Sequence, residues 1–462
     1  MDIYTEQEKR KFIDLGRDVP KADNYIRGAY IALICISFIE FYSASSATIS
    51  HGAIFRPLLS HAFSLTLGVV VMFLFSRIHF SHYVWLIPIL AVASAVAAFL
   101  TMFLGDTVNG AHRTISLGFI NIQPPEFIKL SAALIIALIM AFSQLPDRPG
   151  VSNKGIFWSA FATLLFGGLL FSDGLTNTIL MMAISLSVMV LGGIDWKKFM
   201  IVLIVYGIFG AVGVVYKVKR LDSSNSGART EQAMTAPSEA EVIAGHKKSD
   251  GGVSNRSGEW IFRLTEFFSD DSIPLYKQKI TSKNSQKVYS YMAQAHGGVF
   301  GVMPGNAREN TRLPLVSSDF IYALIIEDFG LIGGLFVMLI YLFIFVRAGD
   351  LSRRCDNAFP KLLIVACGTM IVFQALFHMA IVTGTFPVSG QQLPMISRGG
   401  TSILVTSIAF GIILSVTRYA DIGSTKKRTK KRKGDDANNE LSTLDNIDAT
   451  PMSDEEIKAQ LD

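Results

Sequence analysis

Charge is what this chain of 462 residues has least of. Only 17% of it is Asp, Glu, Lys or Arg, against roughly 25% in soluble domains. Half of the residues are hydrophobic, so a water-soluble globular enzyme is excluded and much of the chain belongs in lipid. Cysteine is nearly absent. Cys35, Cys355 and Cys367 fall in or beside apolar segments with no motif spacing. They read as small hydrophobes, which excludes a disulfide framework and a thiolate metal site. The N-terminal stretch (EQEKRK, then GRDVPK) lacks a short apolar run with a small-residue cleavage site, so no removable signal peptide is expected there. No internal repeat is present.

What the chain does have is long apolar runs. A helix needs about 20 mostly apolar residues to cross a bilayer. Ten candidates lie near 27–47, 58–78, 84–104, 126–144, 156–172, 176–194, 197–217, 319–347, 360–383 and 399–419. The fifth and sixth are short and separated by the SDGL of 172–175. The basic block KKRTKKRK, 426–433, directly follows the last run. Beside a membrane helix it marks the cytoplasmic side rather than a nucleic-acid patch, and no nucleic-acid partner is expected. An even number of spans then puts both termini in the cytoplasm. Arg148, Lys154, Lys197, Lys198, Arg347, Arg353, Arg354 and Lys361 fall on turns of that same side.

The expected organisation is an all-α polytopic membrane protein. A cytoplasmic segment spans 1–26, helices one to seven 27–217, and a large extracytoplasmic loop 218–318. Helices eight to ten span 319–420, and a basic then acidic cytoplasmic tail 421–462. Residues 218–258 are polar and poor in aromatics, which predicts disorder. Trp260–Phe268 (WIFRLTEFF) is amphipathic and suits the membrane surface.

Four constellations sit on the outer side of this scheme. In NGAHRTISLGFINIQPPEFIK, 109–129, Pro124 and Pro125 suit a helix start. Glu126 is in its first turn and Lys129 is three residues on, which alone reads as a capping ion pair. Arg113 on the same loop adds a cation whose planar fork suits a phosphate. The second is Asp173, in the break between two short helices, where a solvated turn acid is the plainer reading. The third runs from Gly297 to Gly330. Gly297, Gly298, Gly301 and Gly305 would let the backbone bend closely around a ligand. Ser317 or Ser318 would cap the next helix, placing Asp319 at its first position. Glu327 and Asp328 follow on the same helix. An acid at a bilayer edge points to function. The fourth is FPVSGQQLPMISRGGTS, 386–402, too irregular for a simple turn; it reads as a re-entrant loop lining a cavity and carries Arg398.

In this order, these motifs resemble the SEDS family of bacterial cell-wall polymerases. The matching residues are Asn109–Gly110–Ala111, Arg113, Gln123–Pro124, Glu126 and Lys129, then Asp173 and Thr176. They continue with Gly297–Gly298 through Gly305, Leu313–Pro314, Asp319–Phe320–Ile321, and Glu327–Asp328 with Gly330. Pro387, Gly390, Leu393–Pro394, Ser397, Gly399–Gly400 and Ser402 close the match. Phe41–Ser46 (FYSASS) resembles the cell-division branch, FtsW-like, more than the elongation branch, RodA-like. The departures are Leu315 for a family glutamate, Ser317 and Ser318 for a histidine and a threonine, Thr114 for a tryptophan, and Pro125 for a serine. The block around Asp173 is also scrambled.

The resemblance implies a ten-helix SEDS bundle that polymerises lipid II into glycan strands, releasing undecaprenyl pyrophosphate. It implies a class B penicillin-binding protein as transpeptidase partner, other division proteins, and a place in the bacterial cytoplasmic membrane at the septum. Asp319 would be catalytic. Arg113, Gln123, Glu126, Lys129, Gly297, Gly298, Gly305, Ser397, Arg398, Gly399 and Gly400 would bind substrate, with a divalent cation (Mg or Mn) beside them. A lipid II transporter, a non-catalytic division scaffold and an elongation role are the competing readings.

Overall fold

The computed structural model describes residues 22–49, 55–104, 106–108, 111–116, 121–145, 150–234, 263, 267, 279–281 and 284–418. Its helices are α1 (Asn24–Ile49), α2 (Phe55–Arg77), α3 (Tyr83–Leu104), α4 (Pro124–Phe142), α5 (Asn153–Asp173), α6 (Leu175–Leu191), α7 (Trp196–Met234), α8 (Ser285–Gly297), α9 (Ile321–Arg353) and α10 (Ala358–Val382). The last is α11 (Gly400–Arg418). Among the described residues nine helices are long and apolar enough to cross a membrane, and α6 is a shorter apolar one of 17 residues. These ten coincide with the ten apolar runs; α8 is the additional, amphipathic helix.

Burial sorts them. Helices α4, α10 and α11 form the interior of the bundle, whereas α2, α3 and α7 turn most of their side chains outward. Outward residues such as Leu59, Trp85, Ile201 and Val212 are exposed apolar groups, which is the pattern lipid requires.

Three local expectations are corrected. The break between α5 and α6 is the single residue Gly174 rather than four residues. Helix α7 runs on to Met234, through residues expected to be disordered from 218. Polarity there argued against packing, but Lys, Arg, Leu, Ala, Glu and Gln are good helix formers, and the next proline is Pro237. The loop before α4 holds three short antiparallel strands, β1 (Asp106–Val108), β2 (Ala111–Ser116) and β3 (Asn121–Ile122), in the order β1-β2-β3. Asn109, Gly110, residues 235–258, the basic tail, and Trp260–Phe268 apart from Arg263 and Phe267 lie outside the described residues.

The glycine-rich stretch is clamped to α9. Gly330 interrupts that helix with φ 71°. The amides of Val302 and Met303 donate to the carbonyls of Glu327 and Asp328, and Leu331 N donates to Gly298 O. A Cβ on Gly330 would lie 2.1 Å from Val299 O. We therefore expect Gly330→Ala to destabilise the protein by at least about 1–3 kcal/mol, from the left-handed backbone alone. A lower melting temperature in a detergent thermal-shift assay would register it.

At the opposite end, Asp23 accepts from Ile26 N at 2.9 Å and from Arg347 Nη2 at 2.5 Å. The Arg347 guanidinium also lies 4.8 Å from the Tyr25 ring centre. Partial burial alone would raise the Asp23 carboxyl, but the Arg347 and Ile26 hydrogen bonds outweigh it and hold the group below its usual 3.8. A lowered carboxyl favours the fold above its unfolded pKa and loses that contribution as pH falls through the folded value. Arg347→Ala should therefore begin acid unfolding at a higher pH than wild type, measured by thermal shift across pH 3–6.

Candidate active site

Asp319 lies in a turn, two residues ahead of α9. Phe320 is the helix N-cap and makes no side-chain cap. Leu315, at φ 58°, bends the chain so that the amides of Ser318 and Asp319 both donate to its carbonyl. Ser318 Oγ also donates back to Leu315 O at 3.3 Å. Neither serine caps the helix, so the expectation of Asp319 at its first position is corrected: the Leu315-centred turn takes up these groups instead. Asp319 is half-buried there. Leu315, in the place of the family glutamate, is exposed at the same turn.

The opposing wall is the re-entrant loop between α10 and α11, which dives into the bundle so that residues 391–397 are buried. Each turn of it is fixed by a buried polar contact, because a backbone group left unpaired at this depth is costly. His378 Nδ1 donates to Gln391 O at 2.8 Å, which assigns the ring proton to that nitrogen. Gln374 Nε2 lies 3.4 Å from Gln392 O, and Tyr341 Oη donates to Pro394 O at 2.5 Å. Ser37 Oγ on α1 donates to Ile396 O. The loop then binds the Asp319 turn directly. Arg398 N donates to Ser317 O at 2.8 Å, and Ser397 Oγ donates to Ser318 O at 2.6 Å. Gly390 completes the contact: a Cβ there would stand 3.0 Å from Asp319 Oδ2. A side chain at 390 would crowd the carboxylate, which would have to shift by a few tenths of an ångström.

Of the predicted site residues, Asp319, Ser397 and Arg398 therefore share one wall. Arg398 is exposed, with its guanidinium 5.6 Å from the Phe41 ring centre. Gly399 makes room for Gln392, whose Oε1 would be 2.1 Å from a Cβ, and Gly400 opens α11. Gln123 N donates to Thr401 Oγ1, tying the start of α4 to that of α11. Arg113 lies on β2, whose Ile115 pairs with Ile122 of β3 just before Gln123.

Lys129 and Glu126 lie behind this wall, joined to it through Gln374. Lys129 is completely buried and its ammonium meets Glu126 at 2.7 Å, while Gln374 donates to the other Glu126 oxygen at 3.1 Å. The ion pair expected from the three-residue spacing is present, but inside the bundle rather than on the outer surface. The glycine loop packs partly against α9 and is partly open. Gly297 is pressed against Ile326 O, and Gly298 and Gly305 supply positive φ. Gly305 N donates to Ser43 Oγ.

Sequence reasoning passed over Glu40, Gln374 and His378, although a polar group inside an apolar span is itself a signal. Glu40 on α1 is fully buried. Glu327 is the hub of the neighbouring loop. Its Oε1 accepts from His296 Nδ1, Arg308 N and Glu309 N at 2.8–3.1 Å. Among the described residues no group of three or more His, Cys, Asp or Glu is arranged to hold a metal ion.

Comparison with known proteins matches residues 24–227 and 260–422 to the cell cycle protein family FtsW/RodA/SpoVE. The internal unmatched stretch, 228–259, overlaps the latter part of the polar segment 218–258. A protein of Enterococcus hirae named as a probable peptidoglycan glycosyltransferase FtsW is 27% identical over 417 residues, covering 86% of this chain and 92% of the relative. Among solved structures, a chain of a peptidoglycan synthase complex coordinating polymerization and crosslinking matches with TM-score 0.61 and 18% identity, over 86% of this chain and 98% of that one. The rod shape determining protein RodA of Thermus thermophilus matches with TM-score 0.54 and 18% identity, over 86% and 97%. The fold is thus shared with both.

Proposed function

Because this chain belongs to the FtsW/RodA/SpoVE family of cell cycle proteins, we propose that it is a peptidoglycan glycosyltransferase that polymerises lipid II during cell division. The observation that carries the reading is the wall formed by the Asp319 turn and the re-entrant loop, joined by the bonds from Arg398 N to Ser317 O and from Ser397 Oγ to Ser318 O. The acceptor sugar's 4-hydroxyl attacks the anomeric carbon of the donor. Its proton passes to the Asp319 carboxylate, and the bond to the pyrophosphate oxygen breaks, releasing undecaprenyl pyrophosphate. Arg398 and Arg113 are the cations we assign to that leaving group, since charge developing there needs fixed positive partners. Ser397 orients the loop through Ser318.

A magnesium or manganese ion here would be held by Asp319 and completed by pyrophosphate oxygens and water, since Mg²⁺ needs few protein ligands. It would neutralise leaving-group charge.

The site end of the bundle is the outer face in this reading, with both termini in the cytoplasm and the protein at the septum. A class B penicillin-binding protein is its transpeptidase partner, supported by the likeness to a chain of a synthase complex. The test uses purified protein in vesicles carrying labelled lipid II, with that partner present. Glycan polymer supports the reading. Lipid II crossing the bilayer without polymer would replace it with a transporter, and neither activity would leave a scaffold.

A further inference from the structure

The loop that docks on the α9 kink carries an exposed apolar tip. Phe300 is 80% exposed, Met303 63% and Val299 54%, and no charged residue stands between Gly297 and Ala307. An apolar cluster of this kind marks a contact surface. What covers it follows from α9. Residues 321–330 of that helix are buried or half-buried, and its exposed apolar stripe starts only at Leu331, running through Ile332, Leu335, Phe336 and Phe343 to Val346. That stripe is about 22 Å long at 1.5 Å per residue, whereas the hydrocarbon core of a bilayer is about 30 Å thick. Arg347, paired with Asp23, closes the stripe at the far end, so the shortfall lies at the Gly330 end. The tip stands there: Phe300 N would be 2.5 Å from a Cβ on Gly330, and Ile332 N donates to Val299 O. Its backbone suits lipid as well. The amides of Gly301, Val302 and Met303 donate to the carbonyls of Gly297, Glu327 and Asp328, and Gly298 O accepts from Leu331 N. Backbone entering an apolar layer needs such groups paired inside the protein.

We propose that Val299, Phe300 and Met303 form a membrane-inserted finger, whose partner is the acyl chains of the leaflet on the Asp319 side. The finger extends the lipid-facing stripe of α9 past its kink to the edge of the hydrocarbon core. It pins the kink at a fixed depth in the bilayer, and with it the buried first turns of α9 that follow the Asp319 turn. The finger needs only a bilayer, so it stands apart from the glycosyltransferase reading.

The test places a nitroxide on Phe300→Cys in the full chain, in phosphatidylcholine vesicles, after Cys35→Ala, Cys355→Ala and Cys367→Ala. Leu335→Cys is the lipid-facing reference, and Arg312→Cys, on the exposed loop before Asp319, is the aqueous one. Oxygen concentrates in hydrocarbon and a nickel chelate stays in water, and both relax the label on contact. The finger predicts that oxygen relaxes the label at 300 more than the chelate does, as at 335, with the ratio inverted at 312. A label at 300 relaxed chiefly by the chelate overturns it. So does a label shielded from both reagents, which puts the tip inside the protein. Shielding from the chelate that arises only when the proposed transpeptidase partner is added overturns it too, by making the tip a protein-docking surface. Phe300→Trp, with the native cysteines kept, repeats the test without the cysteine changes. Its added fluorescence over wild type should be blue-shifted and lost in vesicles of brominated lipid. Added emission typical of a water-exposed indole, and unaffected by bromine, overturns the proposal by itself.

Discussion

Asp319→Asn is expected to lower the rate of lipid II polymerisation by about 10²–10⁴-fold, the range in which a positioned general base contributes. Asparagine keeps the shape beside Gly390, so the re-entrant loop keeps its contacts with Ser317 and Ser318. What is lost is the ability to take a proton. KM should change little, because the variant removes an interaction made in the transition state rather than in the bound substrate. Initial rates with labelled lipid II at several concentrations read both quantities. A variant with wild-type kcat would exclude Asp319 as the base. The neighbouring Leu315 is exposed at the same turn, so on the proposed mechanism Asp319 would act there without the family's second acid.

Lys129→Met is expected to be the most destabilising single change, by about 3–5 kcal/mol, because it leaves the Glu126 carboxylate buried without its cation. Glu126 lies 7% exposed and Lys129 0%, so water cannot replace the lost partner. The damage should reach the active site along a traceable route. Gln374 bonds Glu126 and contacts Gln392 O, and the loop continues to Ser397 and the Asp319 turn. The double variant Glu126→Leu/Lys129→Met should recover most of the stability, since a buried pair replaced by apolar groups of similar volume is often neutral. Thermal shift in detergent measures both. A single variant as stable as wild type would mean that the pair is not matched as described.

The scaffold was largely legible in the chain, because a lipid-crossing helix must carry its own long apolar run; nine of the ten runs became helices long enough to cross among the described residues, and the tenth is the shorter α6. Asp319 stood out as a candidate for the same reason, as an acid at the end of such a run. The partnerships were not. Gln374 and Gln392, or Ser397 and Ser318, are brought together by the bundle rather than by spacing. Lys129 misled because three-residue spacing from Glu126 predicts the pair but not its depth. Glu40 was readable and passed over, as a lone acid within the first span. The extension of α7 to Met234 escaped because polarity was taken as disorder, whereas helix propensity there is good. The glycines from Gly297 to Gly305 looked like a ligand cradle, yet Gly297 and Gly301 press against α9's own backbone.

The most direct measurement is stoichiometric. Purified wild-type protein with the proposed transpeptidase partner is given labelled lipid II, and undecaprenyl pyrophosphate and glycan length are quantified together, with Asp319→Asn in parallel. The predicted result is one undecaprenyl pyrophosphate released for each glycosidic bond formed, and loss of both products in the variant. Lipid II recovered intact from wild type, or polymer formed equally well by Asp319→Asn, would contradict it.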